Sequence, residues 1–458
     1  MIRSEIVYDL EQAVGSENVI TDRNELIAYS YDGQPEKRMP DAMVLASQTG
    51  EIAEIVTVAV RYNIPLIARG AGSGMTGGAV PEHGGIVLNF ERMNRILRID
   101  CEDCIGYVQP GVITADFQKE AAGKGLFYPP EPASAQHSTI GGNVAESAGG
   151  LTCVKYGLTK QFVAGLEFVT SEGEIVRTGV YSDREAPFDI GALMVGSEGT
   201  LGIVTEVALR LIPLPDGKRT ILALFRTLSE TVSASNAVLS SGVEPAVLEF
   251  MDRSCIDAVR DYAGVDIPEE TAALLLIELD GGEEYLAAAE AKVMSLLKSL
   301  RPVELKSAQN IDERNALWKL RKSTSPAIAR IAPLKFNEDI CVPISRIPDI
   351  CRFVEELGHR RDVKVVSFGH SGDGNLHINF MTDRKRPQEV ARVKLAIEEL
   401  FREAVRVGGT LSGEHGIGMM KRPYLKIALN KATIEFEKKV KQALDPSNVF
   451  NPGKIFPE

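Results

Sequence analysis

Residues 69–78 read Arg69-Gly70-Ala71-Gly72-Ser73-Gly74-Met75-Thr76-Gly77-Gly78, and a short apolar stretch, 65–68, precedes them as a strand. Gly72, Gly74 and Gly77 formally satisfy the dinucleotide fingerprint G-x-G-x-x-G. That fingerprint has meaning where a helix follows and its N-terminus receives a pyrophosphate. Here the chain continues through Pro81, Gly84 and Gly85 into a second apolar strand, 86–90, which excludes a Rossmann turn. What remains is a backbone nest: glycines let successive N–H groups point at one anion with no side chain blocking its approach.

Two further loops of the same kind follow along the chain. The segment 128–150 carries Pro129-Pro130-Glu131-Pro132, then Ser138-Thr139-Ile140-Gly141-Gly142-Asn143, and is too long for a mere connector. It reads as a functional loop with hydroxyls and exposed amides. Gly196-Ser197-Glu198-Gly199-Thr200-Leu201-Gly202 forms the third. The first two anion-friendly loops, in one domain, imply a diphosphate cofactor clamped between them, and the third precedes the final strand.

Around these loops the pattern alternates. A helix begins near Thr49, with Ile52, Ile55, Val56 and Ala59 at the helical period; another spans 114–123, and strands occupy 162–170 and 202–211. Residues 213–217 make a boundary. Beyond it, helical stretches 283–300 and 347–357 alternate with strands 272–279 and 339–342 and a hairpin of 363–368 with 376–380. That texture fits an antiparallel sheet carrying helices on one face. The last fifty residues read as helical and end in a Pro-Gly tail. No internal repeat is visible.

With 458 residues, 44% hydrophobic and 25% charged, the chain has material for two or three packed units and no disorder signature. The net charge of −12 repels phosphate backbones and excludes nucleic acid as a partner. No apolar run approaches the roughly 18 residues of a transmembrane helix. Residues 1–15 read as an amphipathic helix, so a cytoplasmic placement is expected. Six cysteines are sparse, and Cys101 and Cys104 lack the second pair that a cluster would need.

The histidines divide into two groups. His83, His137 and His359 sit among loop and helix-end residues and read as surface. His370 and His377 flank the hairpin turn Ser371-Gly372-Asp373-Gly374-Asn375-Leu376, whose return brings the imidazoles toward each other. Asp373 and Asn375 add oxygen ligands or substrate contacts. Glu414-His415 follows in a glycine-bracketed segment, where neighbouring side chains on extended backbone diverge, one toward a metal and the other toward a substrate. Two histidines and a carboxylate suit zinc, manganese, cobalt or iron.

These motifs, in this order, resemble the FAD-binding domain of the vanillyl-alcohol oxidase and p-cresol methylhydroxylase superfamily, and within it the D-2-hydroxyacid dehydrogenases. The resemblance runs over nearly the whole chain and extends to His370-Ser371-Gly372-Asp373-Gly374-Asn375-Leu376-His377 and to Gly413-Glu414-His415-Gly416. It implies an α+β fold: a two-part FAD-binding domain over 1–213, an antiparallel-sheet substrate or cap domain over 214–410, and a C-terminal segment, 411–458, returning to the FAD domain. Implied FAD contacts are Arg69, Gly70, Ala71, Gly72, Ser73, Gly74, Gly77, Gly78, Pro130, Pro132, Ser138, Thr139, Gly141, Gly142, Asn143, Glu198, Gly199, Ile203 and Asn451. Some relatives attach the flavin through a histidine in the first glycine loop; Ser73 stands there, so the flavin is expected to be non-covalent. His370, His377 and Glu414 are the implied ligands of a divalent metal and His415 the implied catalytic base. Arg321, after the single tryptophan Trp318, and Lys335 are the implied cations for a substrate carboxylate, with Asn375 beside them.

The expected activity is oxidation of a short D-2-hydroxy acid, D-lactate or glycolate, to the 2-oxo acid, with D-2-hydroxyglutarate as the alternative substrate. The electrons are expected to leave through a separate acceptor: an iron-sulfur subunit, an electron-transferring flavoprotein, a cytochrome or a quinone. Such a partner could hold the protein at the inner face of a membrane, and homodimerisation is left open. A metal-dependent hydrolase would leave the three anion loops without a purpose. A non-catalytic flavin subunit would not use the metal and base residues.

Overall fold

The computed structural model describes residues 2–182, 188–263 and 266–457, the side chains of 261–263 aside. The chain forms two compact units: residues 1–149, 158–214 and 414–458 in one, residues 150–157 and 215–413 in the other. The segment 150–157, which the sequence reading left with the first domain, belongs to the second unit, where Lys155 and Tyr156 both bond the buried Asp280.

Besides the antiparallel pair Leu126–Phe127 with Ile212–Pro213, the described residues of the first unit form two larger sheets. In the smaller, the parallel strands Ala42–Leu45, Ile86–Asn89 and Leu66–Arg69 are joined at one edge by Val19–Ile20. Helices Ser4–Val14 and Thr49–Tyr62 bury Ile6, Leu10, Ile52, Ile55, Val56 and Ala59 against one face of it. The glycine loop therefore leaves the carboxyl end of a parallel strand, where open α/β sheets place ligands. Five antiparallel strands make the other sheet, in the order Ile96–Asp100, Ile105–Val108, Ile203–Arg210, Val163–Val169, Ile175–Arg177.

Two expectations need correction here. The stretch 128–150 is not one long loop, because Ile140–Glu146 is helical. Thr139 caps it by accepting from the Gly142 amide, and Ile140 and Val144 bury one face; the paired glycines concealed this four-residue repeat. The last fifty residues are helical only over Leu425–Ala428 and Lys431–Leu444, together with the 3₁₀ turn Arg422–Tyr424.

The second unit is built on a seven-stranded antiparallel sheet. Its order is Glu304–Ser307, Gly217–Phe225, Ala273–Gly281, Val247–Asp252, Lys364–His370, Asn375–Thr382, Leu334–Cys341. Side chains alternate between faces, so the register sorts them. Ile221, Ala223, Leu248, Leu275 and Ile277 face one way and pack under helices Leu228–Ser240 and Glu283–Ser299. Glu249, Glu278, His370, His377, Asp339, Asn337 and Lys335 face the other way, alongside Leu274, Leu276 and Phe368. Helix Ile311–Lys322 covers part of that polar face through Trp318.

Candidate functional site

The glycine loop is shaped from beneath. Arg69 is buried and its guanidinium donates to the carbonyls of Tyr31 and Ala28, at 2.7 and 3.4 Å. Gly72 curls over it at φ +66°, and a Cβ there would stand 2.3 Å from Arg69 Nη2. Gly33 donates to the Gly74 carbonyl at 2.9 Å, and the Gln34 amide bonds the Met75 carbonyl. Burial pushes the Asp32 carboxyl up, against the Gln34 and Gly77 amides that bond it. With the carbonyls so anchored, the amides of Ala71, Gly72, Ser73 and Gly74 donate to no other group among the described residues. Four consecutive unspent N–H donors fit a phosphate group. Gly70 meets the second loop: a Cβ on it would lie 2.1 Å from Thr139 Oγ1.

The other two loops have spent most of their amides internally, contrary to the open donors expected of them. Gly141 donates to the Pro110 carbonyl, Gly142 to Thr139 Oγ1 and Asn143 to the Thr139 carbonyl. Ser138 and Asn143 are buried about Thr114, which accepts from Asn143 Nδ2 at 2.7 Å. The Pro130 and Pro132 carbonyls accept from Gln118 and Ala135. In the third loop Glu198 donates its amide to Ala145, while its carboxylate takes the Ile417 and Gly418 amides, both at 2.7 Å. Burial raises the Glu198 carboxyl against those two bonds. Gly199 turns at φ +67° toward Ala68, and Ile203 is fully buried in the core. Asn451 ties the Gly78 carbonyl to that of Glu198, at 2.9 and 2.8 Å, with its own Oδ1 buried and meeting no donor among the described residues. Close approach of Gly70 to Thr139 and the Asn451 bonds to Gly78 and Glu198 thus join the three loops, while the amides of 71–74 keep no acceptor among the described residues.

On the sheet of the second unit, His370 and His377 lie diagonally across paired strands, opposite Asn375 and Phe368 respectively. Their Nε2 atoms are 3.3 Å apart. The Nδ1 of His370 bonds the fully buried carboxylate of Glu249, which turns its Nε2 toward His377. Two imidazole nitrogens converging on one point, one of them oriented by a carboxylate, are the donor chemistry of a transition-metal or zinc site. Glu249 also accepts from Arg321 Nε at 2.6 Å, and the guanidinium lies over Phe368, 4.7 Å from the ring centre. Burial pushes the Glu249 carboxyl up, but His370 and Arg321 more than reverse it and hold it below the ordinary carboxylate range.

Asp339 sits across the strand pair from His377 and accepts from the Gly413 amide at 2.8 Å and from Ser412 Oγ at 3.3 Å. A Cβ on Gly413 would come within 2.4 Å of the Asn375 side chain, whose Oδ1 has no donor among the described residues. The Asp373 carboxylate is turned back on the Asn375 amide. Lys335 lies on the same face, half-buried and shifted down by that burial. It is four residues along the strand from Asp339, roughly 13 Å at the usual rise. In the first unit, the His415 carbonyl accepts from Thr76 Oγ1 at 3.1 Å, which holds His415 to the glycine loop, and its Nε2 is 3.7 Å from Glu414 Oε1. His83, His137 and His359 are exposed.

Sequence reading missed Glu249 and Asp339. Both carried a signal: Glu249 is a charge set among the apolar residues Val247, Leu248, Phe250 and Met251, and Lys335, Asn337 and Asp339 alternate with Leu334, Phe336 and Ile340. A strand polar at every second position announces a face with work to do.

Comparison with known proteins accords with this geometry. Residues 40–179 match the FAD binding domain family and residues 214–455 the C-terminal domain of FAD linked oxidases. The glycolate oxidase subunit GlcD of Bacillus subtilis is 41% identical over 458 residues, covering 100% of this chain and 97% of its own. D-lactate dehydrogenase of Anaerostipes hadrus is 33% identical over 92% of this chain and 90% of its own. For D-2-hydroxyglutarate dehydrogenase of Stutzerimonas stutzeri the identity is 32%, over 98% of each chain. In fold, substrate-bound p-cresol methylhydroxylase superposes with a TM-score of 0.83 at 18% identity, covering 99% of this chain and 97% of that one. The glycine loop thus lies within the FAD binding domain match and the fold is that of p-cresol methylhydroxylase, and the chain belongs to the FAD-linked 2-hydroxyacid dehydrogenase family.

Proposed function

We propose that this enzyme oxidises a short D-2-hydroxy acid, D-lactate or glycolate, to its 2-oxo acid. The observation that carries the proposal is the chain Arg321–Glu249–His370 with His377 beside it, which sets a carboxylate-binding cation next to a paired-imidazole site. FAD supplies the hydride acceptor, held non-covalently because Ser73 cannot form a histidyl link. His370, His377 and Glu414 would hold a divalent ion, whether zinc, manganese, cobalt or iron, which when bound would supply Lewis-acid polarisation of the substrate hydroxyl. Glu414 enters the set through the chain itself: it follows Gly413, whose amide is fixed on Asp339 across from His377.

The remaining steps belong to side chains. Arg321 takes the substrate carboxylate on its Nη edge and Asn375 offers an amide to it. His415 accepts the hydroxyl proton, its backbone anchored by Thr76 at the loop that holds the cofactor. Electrons then leave to a separate iron-sulfur subunit, electron-transferring flavoprotein, cytochrome or quinone, in keeping with the naming of the Bacillus relative as a subunit. We place the enzyme in the cytoplasm, where such a partner could hold it at a membrane; among the described residues no helix is long and apolar enough to cross one.

Lys335 favours the alternative reading, D-2-hydroxyglutarate, because a second cation well along the strand could receive a distal carboxylate. The test compares kcat/KM for D-lactate, glycolate and D-2-hydroxyglutarate with an artificial electron acceptor. The first two are expected to lead; a more than tenfold preference for D-2-hydroxyglutarate would reverse the assignment.

A further inference from the structure

Glu249 is fully buried in the middle of the sheet and uses both carboxylate oxygens, Oε1 on His370 Nδ1 and Oε2 on Arg321 Nε. Strand register sets it directly opposite His370. Arg321 is nearly as buried, at 9% exposure, yet its Nη1 and Nη2 have no hydrogen-bond acceptor among the described residues. Its position is fixed from the rest of its helix, for Arg314 and Trp318, seven and three residues earlier, are both bonded to Glu278. Guanidinium and imidazole are therefore joined by one anion, and the outer edge of the guanidinium is left open for another.

From this geometry we infer that Glu249 couples the two halves of substrate recognition, so that a carboxylate bound at Arg321 tightens metal binding at His370. The inference rests on the metal reading given above. The physical argument is a competition for one charge. When an incoming carboxylate takes up the positive charge of Arg321, Glu249 is less drawn to the guanidinium and accepts more strongly from the His370 N–H. A stronger bond at Nδ1 makes Nε2 a better ligand, as second-sphere carboxylates do for metal-bound histidines. Coupling of this kind is reciprocal, so the metal also tightens the carboxylate. Glu249 touches neither substrate nor ion and is a positioning residue.

The experiment measures zinc affinity of the FAD-loaded protein by competition with a fluorescent chelator, with and without propionate, a monocarboxylate lacking the 2-hydroxyl. Wild type is expected to bind zinc about fivefold or more tightly with saturating propionate, within the usual range of coupling. Glu249→Gln should weaken zinc about 10- to 100-fold and abolish the propionate effect, with flavin content unchanged. Arg321→Met removes the competing charge, so without propionate it should bind zinc about as tightly as wild type does with it and show no propionate effect, and it decides the matter if the Glu249 variant does not fold. A propionate effect that survives in either variant would overturn the coupling, since the carboxylate would then act on zinc directly; zinc affinity unaltered in Glu249→Gln would also overturn it. His370→Ala separates the two levels: if it binds zinc as wild type does, the metal reading itself fails.

Discussion

Replacing Glu278 by glutamine perturbs the support of the site without touching the site itself. Glu278 is 2% exposed and accepts from Arg314 Nη2 at 2.9 Å, Lys218 at 3.1 Å, Trp318 Nε1 at 2.7 Å and Thr220 Oγ1 at 3.0 Å. Removing one partner of a buried ion pair costs about 3–5 kcal/mol. Here Arg314 and Lys218 are 27% and 33% exposed and can turn to water, which brings the cost down to about 2–3 kcal/mol. Burial raises the Glu278 carboxyl, but Lys218 and Arg314 more than reverse that, so its folded value lies below the ordinary 4.5. A depressed carboxyl contributes stability that is fully present above its unfolded pKa and is lost as pH falls through the folded one. The difference between wild type and Glu278→Gln should therefore be full at pH 7 and shrink below about 4.5. Denaturant unfolding followed across that range measures it. Because Glu278 also seats the helix that carries Arg321, KM for the hydroxy acid should rise while flavin content stays constant. A difference under about 0.5 kcal/mol at neutral pH, or one that widens on acidification, would refute the argument.

Three further outcomes are expected. His415→Ala should retain metal and flavin but slow flavin reduction about 10²- to 10⁴-fold; loss of metal would make His415 a ligand instead. Gly70→Ala drives a methyl into Thr139 Oγ1, so FAD should be released more readily on dilution, at a stability cost of about 1–3 kcal/mol; flavin retention equal to wild type would mean that the two loops need no close contact. Acid precipitation should leave the flavin in the supernatant, and yellow colour in the pellet would reveal a covalent bond.

How much of this was legible in the sequence depends on how local the chemistry is. The glycine loop could be read because conformational freedom and unblocked amides are properties of the glycines themselves. The approach of His370 and His377 could be read because a short turn joins their strands. Glu249 and Asp339 could not be assigned partners, since those come through sheet register and chain return, from residues 121 and 74 positions away. The helix Ile140–Glu146 was hidden for the opposite reason: two glycines at its start outweighed a threonine cap and one apolar pair, although burial of Ile140 and Val144 is enough to form it. Spent amides in the second and third loops follow from the same packing, which no tally of glycines reveals.

The most direct measurement is anaerobic single-turnover reduction of the bound flavin by D-lactate or glycolate, in zinc-loaded protein and in protein stripped by a chelator. Rapid bleaching of the flavin with the metal present is expected, along with bleaching slowed by orders of magnitude in stripped protein whose flavin spectrum is otherwise intact. Metal-loaded, FAD-replete protein that bleaches with neither acid, or stripped protein that bleaches just as fast, would contradict the account.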